Sequence, residues 1–171
     1  GLEAIPGGLV DPADLRAALF LAKAQLKSGE PAAAVATLEN PKYGPVGLVE
    51  KIDPPSEAFL PELYRVHLQA LVGQMTTSDA DSGELMKRAS GAMENLRQTA
   101  KDSEGQKRLV GIYLALAGNI REQLDQATPA RKAKLISAFR EFLNRISEST
   151  EDTATLQWVG QTLMEMGESS M

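Results

Sequence analysis

Asp11–Glu39 reads DPADLRAALFLAKAQLKSGEPAAAVATLE, and this stretch decides the fold. Asp11 can accept hydrogen bonds from the free amides of a first helical turn. Pro12 suits the first helical position, and Asp14 puts negative charge at the positive end of the helix. Leu15, Leu19, Ala22 and Leu26 then recur at helical spacing and define an apolar face. Gly29 can take the left-handed conformation that ends a helix, with Lys27 in the last turn. Pro31 opens a second helix whose Ala-rich body (Ala32, Ala33, Ala34, Ala36) carries Val35 and Leu38. Small side chains let two helix backbones come close, so the stretch predicts an antiparallel helical hairpin turning at Lys27-Ser28-Gly29-Glu30.

The remaining sequence agrees with a helical reading. A chain of 171 residues is long enough to bury a sizeable core. Aromatic residues make up only 5 % of it, which suits packed helices better than sheets. Net charge is −5 with no basic stripe, so a nucleic-acid role is not expected. Arg131, Lys132 and Lys134 cluster at the start of one helix and read as a solvated helix end. With no cysteine, disulfides and thiolate metal sites are excluded, and the compartment stays open. The longest apolar run, Leu109–Ala117, is interrupted by Gly111 and too short to cross a bilayer, so no membrane insertion is expected. The chain starts at Gly1 rather than Met, with residues 1–10 reading as a flexible lead-in. It ends after what reads as the first helix of a new hairpin, so a fragment of a longer polypeptide is expected.

Asn40–Ser56 holds Pro41, Pro45, Pro54 and Pro55 with Gly44 and Gly47, and no helix is expected to persist there. Its apolar residues Tyr43, Val46, Leu48, Val49 and Ile52 suit packing onto neighbours; a binding role for this long loop stays open. A third helix is expected over about 57–75 with Leu60, Tyr64, His67, Leu68 and Leu71 on one face. A fourth, over about 82–100, shows Leu85, Met86, Ala89, Met93 and Leu96. The fifth, about 105–127, is apolar over so wide an arc that neighbours on two sides are expected. Thr128-Pro129 opens the sixth, with Leu135, Ile136, Phe139, Phe142, Leu143 and Ile146 at strict spacing. Ser149 or Thr150 is the expected cap of the seventh, helped by Glu151 and Asp152; Leu156, Val159, Leu163 and Met166 form its apolar side. Helix pairs therefore begin near residues 12, 57, 104 and 150, a period of roughly 46 residues within the range of helical-hairpin repeats.

LAKAQLKSGEPAAAVATLE resembles a tetratricopeptide (TPR) repeat. Leu21-Ala22 match its large-small pair, Gly29 its turn glycine, Ala34 the small residue of the second helix and Leu38 the bulky one that follows. LQWVGQTLMEMGE resembles the first half of another unit, with Gly160 and Gly167 at the small positions. The period exceeds the family's, and Gln25 stands where an aromatic is usual. The resemblance implies an all-α fold over residues 11–171, with antiparallel hairpins stacked as a short TPR-like α-solenoid of about seven helices. It also implies a protein or peptide partner on the concave face, with Arg16, Lys23, Gln157 and Gln161 at groove-facing positions. The family's carboxylate clamp needs a basic residue at Leu19 and Asn at Lys23, so that clamp is not present.

Chemistry is sparse. His67, the one histidine, lies on an apolar face and reads as a buried imidazole bonded to a backbone carbonyl. Asp79–Glu84 lacks the glycine register and the final carboxylate of a calcium loop. No glycine pattern has phosphate-binding spacing. Trp158, the one tryptophan, reads as a half-buried packing residue or as a partner hot spot if exposed. No catalytic, cofactor or metal site is expected. The function expected is a non-enzymatic interaction module, the alternative an assembly segment packing on its parent chain or self-associating through the last helix, and third an enzyme's helical domain.

Overall fold

The corner at Gly29 forms by a backbone device that glycine adopts without strain. In the computed structural model, which describes residues 12–51, 56–77 and 82–169, Gly29 has φ 77°. Its amide donates to the Leu26 carbonyl at 3.1 Å, and the Glu30 amide donates to Gln25 at 2.9 Å. These two bonds satisfy carbonyls that the helix end would leave bare. The helix before the corner is α1, Pro12–Lys27, and the one after it is α2, Pro31–Leu38. Expected capping by Asp11 lies outside the described residues.

Among the described residues six more helices follow: α3 Pro45–Leu48, α4 Phe59–Thr77, α5 Ser82–Thr99, α6 Ser103–Gln126, α7 Pro129–Ser149 and α8 Thr153–Ser169. No strand occurs among the described residues, so the fold class is all-α. The seven expected helices are present, and α3 is an eighth that the proline content argued against. Pro45 sits at its first position, where a missing amide leaves nothing unsatisfied, and one turn is all the segment needs.

The chain divides into two compact units, one running to Gln74 and including Lys87–Thr99, the other formed by Met75–Met86 and the chain from Ala100 onward. In the first, α1 packs against α2 and α3. Leu15, Ala18, Leu19 and Ala22 are buried, as are Ala34, Val35 and Leu38. Each leucine so buried contributes about 1.5–3 kcal/mol of apolar transfer free energy. Leu26 is only half-buried. Gln25 accepts a hydrogen bond from the buried Thr37 hydroxyl at 2.8 Å, so this amide ties α1 to α2. Between α2 and α3 the Asn40 side chain accepts from the Lys42 amide at 2.8 Å, folding the turn over. Pro45 is buried, and Tyr43, Val46, Leu48 and Val49 are half-buried, so these residues of the connection pack down; Ile52 lies outside the described residues. The buried residues of α4 include Phe59, Leu63, Val66, Leu68, Ala70 and Leu71, while Leu60 and Tyr64 are half-buried. The covered face is thus rotated from the expected one. Gly73 lies so close to Pro31 that a Cβ there would stand 2.8 Å from the proline Cβ.

In the second unit, α7 is flanked by both α6 and α8, taking there the two-sided position expected of the fifth helix. Tyr113 of α6 meets Phe142 of α7 edge-on, ring centres 6.4 Å apart at 80°. Phe139, Leu143 and Ile146 are buried beside them. Asp102 caps α6 by accepting from the Gly105 amide at 2.6 Å. The cap of α8 is Asp152 rather than Ser149 or Thr150. Its carboxylate accepts from the Thr155 amide at 2.8 Å, while Ser149 still belongs to α7. The Thr155 hydroxyl, donating at 2.6 Å, and the Thr155 amide together hold the Asp152 carboxyl below the ordinary carboxylate range. Arg131 departs from the solvated helix end expected of it, because its Nε and Nη2 are buried with no hydrogen-bond partner among the described residues.

Candidate functional site

α1 is apolar on two sides. Opposite its buried stripe, Ala13, Ala17, Phe20, Leu21 and Ala24 recur at helical spacing and are all exposed. Phe20 is 75 % exposed and Leu21 39 %. Arg16 and Lys23 stand one turn before and one turn after Phe20, and so share its side of the helix. These three, with Leu19, Ser56, Ala58, Phe59 and Glu62, line a surface cavity of about 220 Å³. Lys23 donates from Nζ to Glu62, and Arg65 Nη2 lies 3.7 Å from the same carboxylate oxygen. The hydrogen bond from Lys23 holds the Glu62 carboxyl below the ordinary range despite partial burial. An aromatic ring beside a cation, above a shallow recess, can take an apolar side chain and orient a carboxylate or carbonyl next to it.

Of the residues predicted to contact a partner, Arg16 and Lys23 are brought together at this cavity. Gln157 and Gln161 are exposed on α8, in the other unit, with Gln161 3.5 Å from Glu165 Oε1. Trp158 is half-buried, and its carbonyl accepts from Thr162 at 2.7 Å. Val159 is buried, so an open patch of Leu156, Trp158 and Val159 does not form. What α8 does expose is Leu156 at 38 % and Met164 at 68 %, with exposed Gly160 between them.

His67 has a different partner from the backbone carbonyl expected. Its Nε2 lies 2.7 Å from Glu39 Oε1, and Arg88 pairs with both oxygens of the same carboxylate, Nε at 3.2 Å from Oε1 and Nη2 on Oε2. Glu39 is the C-cap of α2, His67 is on α4 and Arg88 on α5, so one carboxylate ties three helices of the first unit. Burial works to raise the Glu39 pKa; the hydrogen bonds from His67 and Arg88 outweigh it and hold the carboxyl below the ordinary range. A carboxylate that orients one imidazole nitrogen also occurs where the other nitrogen acts as a base, but a base must reach its substrate. His67 Nδ1 is buried and has no hydrogen-bond partner among the described residues. The arrangement is a structural tie.

No group of three potential metal ligands occurs among the described residues, and no described helix is long and apolar enough to cross a membrane. Comparison with protein-family models, with curated proteins and with solved structures returns no match.

Proposed function

We propose that this chain is a non-enzymatic, TPR-like helical-repeat module that holds a protein or peptide partner, with the outer side of α1 as its docking element. The observation that carries this reading is Phe20, 75 % exposed between Arg16 and Lys23. Aromatic and arginine side chains are the common anchors of protein interfaces, and large apolar side chains gain most when a partner covers them. Lys23 is already oriented by Glu62, which lowers the cost of ordering it on binding. The test is partner capture by the protein carrying a photo-crosslinker at Leu21, with and without Phe20→Glu. A partner retained by the parent and lost by the variant, with helical circular dichroism unchanged, supports the reading. Equal capture by both overturns it.

The exposure of Leu156 and Met164 on α8 favours a second reading, an assembly segment that packs on another part of its parent chain or self-associates. Molecular mass that rises with concentration separates self-association from the binding of an unrelated partner.

A further inference from the structure

We propose that the partner of the α1 surface is a second copy of this chain, docking by the outer side of α8. The inference rests on the reading of α1 as a docking element, and two independent complementarities carry it.

The first is shape. α1 offers two large residues, Phe20 and Leu21, standing on a bed of exposed alanines at 13, 17 and 24. α8 offers Leu156 and Met164 one turn to either side of Gly160, and a Cβ at Gly160 would meet nothing within 4 Å. A bulky side chain opposite a glycine lets two helices approach closely, as ridges pack into grooves.

The second is charge. On α1, Arg16, Lys23 and Lys27 stand against Asp14, leaving +2, and the Glu62 carboxylate that meets Lys23 is matched by Arg65. α8 itself carries Glu165 and Glu168 with no lysine or arginine, giving −2, and Arg121 lies 3.6 Å from Glu165. Two copies of a chain with net charge −5 repel in general, so association needs faces of opposite sign. Pairing α1 with α1, or α8 with α8, sets charges of like sign face to face. The unlike pairing sets opposite signs together, and repulsion against wrong partners is how interfaces select one arrangement. A contact between two different surfaces is heterologous, so it propagates into rings or open chains rather than stopping at a symmetric dimer.

Sedimentation velocity on the full chain, over roughly a hundredfold range of concentration, reads this directly. The parent protein is expected to grow past the dimer. Phe20→Glu blocks one face and Met164→Lys the other, and both residues are exposed enough for the fold to survive, as circular dichroism verifies. Each variant alone is expected to associate at least about tenfold more weakly, because a buried apolar contact is lost. Mixed, the two variants still own one intact face of each kind and are expected to form a dimer that grows no further. A parent chain that stays monomeric throughout, or a mixture that stays monomeric, overturns the proposal. So does Met164→Lys associating like the parent. If in those cases Phe20→Glu still abolishes capture by the crosslinker at Leu21, α1 remains a docking element for a different partner; if capture is also unchanged, that reading falls as well.

Discussion

Removing the Glu39 carboxylate isolates the contribution of the tie between α2, α4 and α5. In Glu39→Ala the His67 Nε2–H loses its acceptor at a site where the imidazole side chain is only 7 % exposed. With the imidazole so covered, the cost approaches that of a buried unsatisfied donor, about 1–3 kcal/mol. Arg88 is 33 % exposed and its guanidinium can turn to solvent, so its share is that of a surface ion pair, about 0.2–1 kcal/mol. Together these give about 1–4 kcal/mol of destabilisation, dominated by the histidine. For a chain of this length that corresponds to a fall in Tm of about 3–15 °C. Glu39→Gln keeps a carbonyl acceptor for His67 but loses the charge and the oxygen that accepts from Arg88 Nη2, whose guanidinium can turn to solvent, so it is expected to cost about 1 kcal/mol or less.

Urea unfolding followed by far-UV circular dichroism measures both variants. Trp158 fluorescence, recorded in parallel, reports on the second unit alone, and non-coincident midpoints would show that the two units unfold separately. The reasoning is refuted if Glu39→Ala costs less than about 0.5 kcal/mol, or if it costs no more than Glu39→Gln, since either result removes the buried donor as the source.

The lowered Glu39 pKa fixes a direction of pH dependence. Below 4.5 the unfolded chain binds a proton at this carboxyl before the folded one does, so the stability Glu39 supplies is present above 4.5 and is lost as pH falls through its folded value. The stability difference between parent and Glu39→Gln, measured by urea unfolding at stepped pH, is expected to shrink over that window. Gly29→Ala forces a Cβ into a left-handed conformation with open space around it, so only backbone strain counts, about 1 kcal/mol by the same assay. Gly44→Ala and Gly47→Ala, three residues apart, are expected to behave oppositely. A Cβ at Gly44 would overlap the Asn40 backbone and the Leu38 carbonyl, costing more than about 2 kcal/mol, whereas at Gly47 it meets nothing and the change is neutral or slightly stabilising.

Features set by neighbouring residues were legible in the sequence. The Gly29 corner, the proline at the start of α2 and the spacing of Leu135, Phe139, Phe142 and Ile146 all act within a few residues, and each appears as read. Local competition spoiled finer points. Ser149, Thr150 and Asp152 are all good caps, and the choice fell to Asp152 because α7 runs on through Ser149. The His67 partner lay beyond local reasoning. Glu39 is 28 residues away in the chain and Arg88 is 49 from Glu39, and no pattern in the sequence links the three.

Phe20 was hidden for a different reason. The buried stripe of α1 and its exposed stripe recur at the same helical spacing, so periodicity reveals two apolar faces and cannot say which one the fold covers. That depends on how many neighbours the helix has, and α2 and α3 leave Phe20 and Leu21 open. A signal was present nonetheless in the charge balance, for α1 is cationic and the chain from Glu151 is anionic within a protein whose total is negative. A helix packed on one side has no folding reason to be apolar on the other. Under the proposed pairing of α1 with α8, the surplus apolar face and its cationic charge would both serve contact with a second copy.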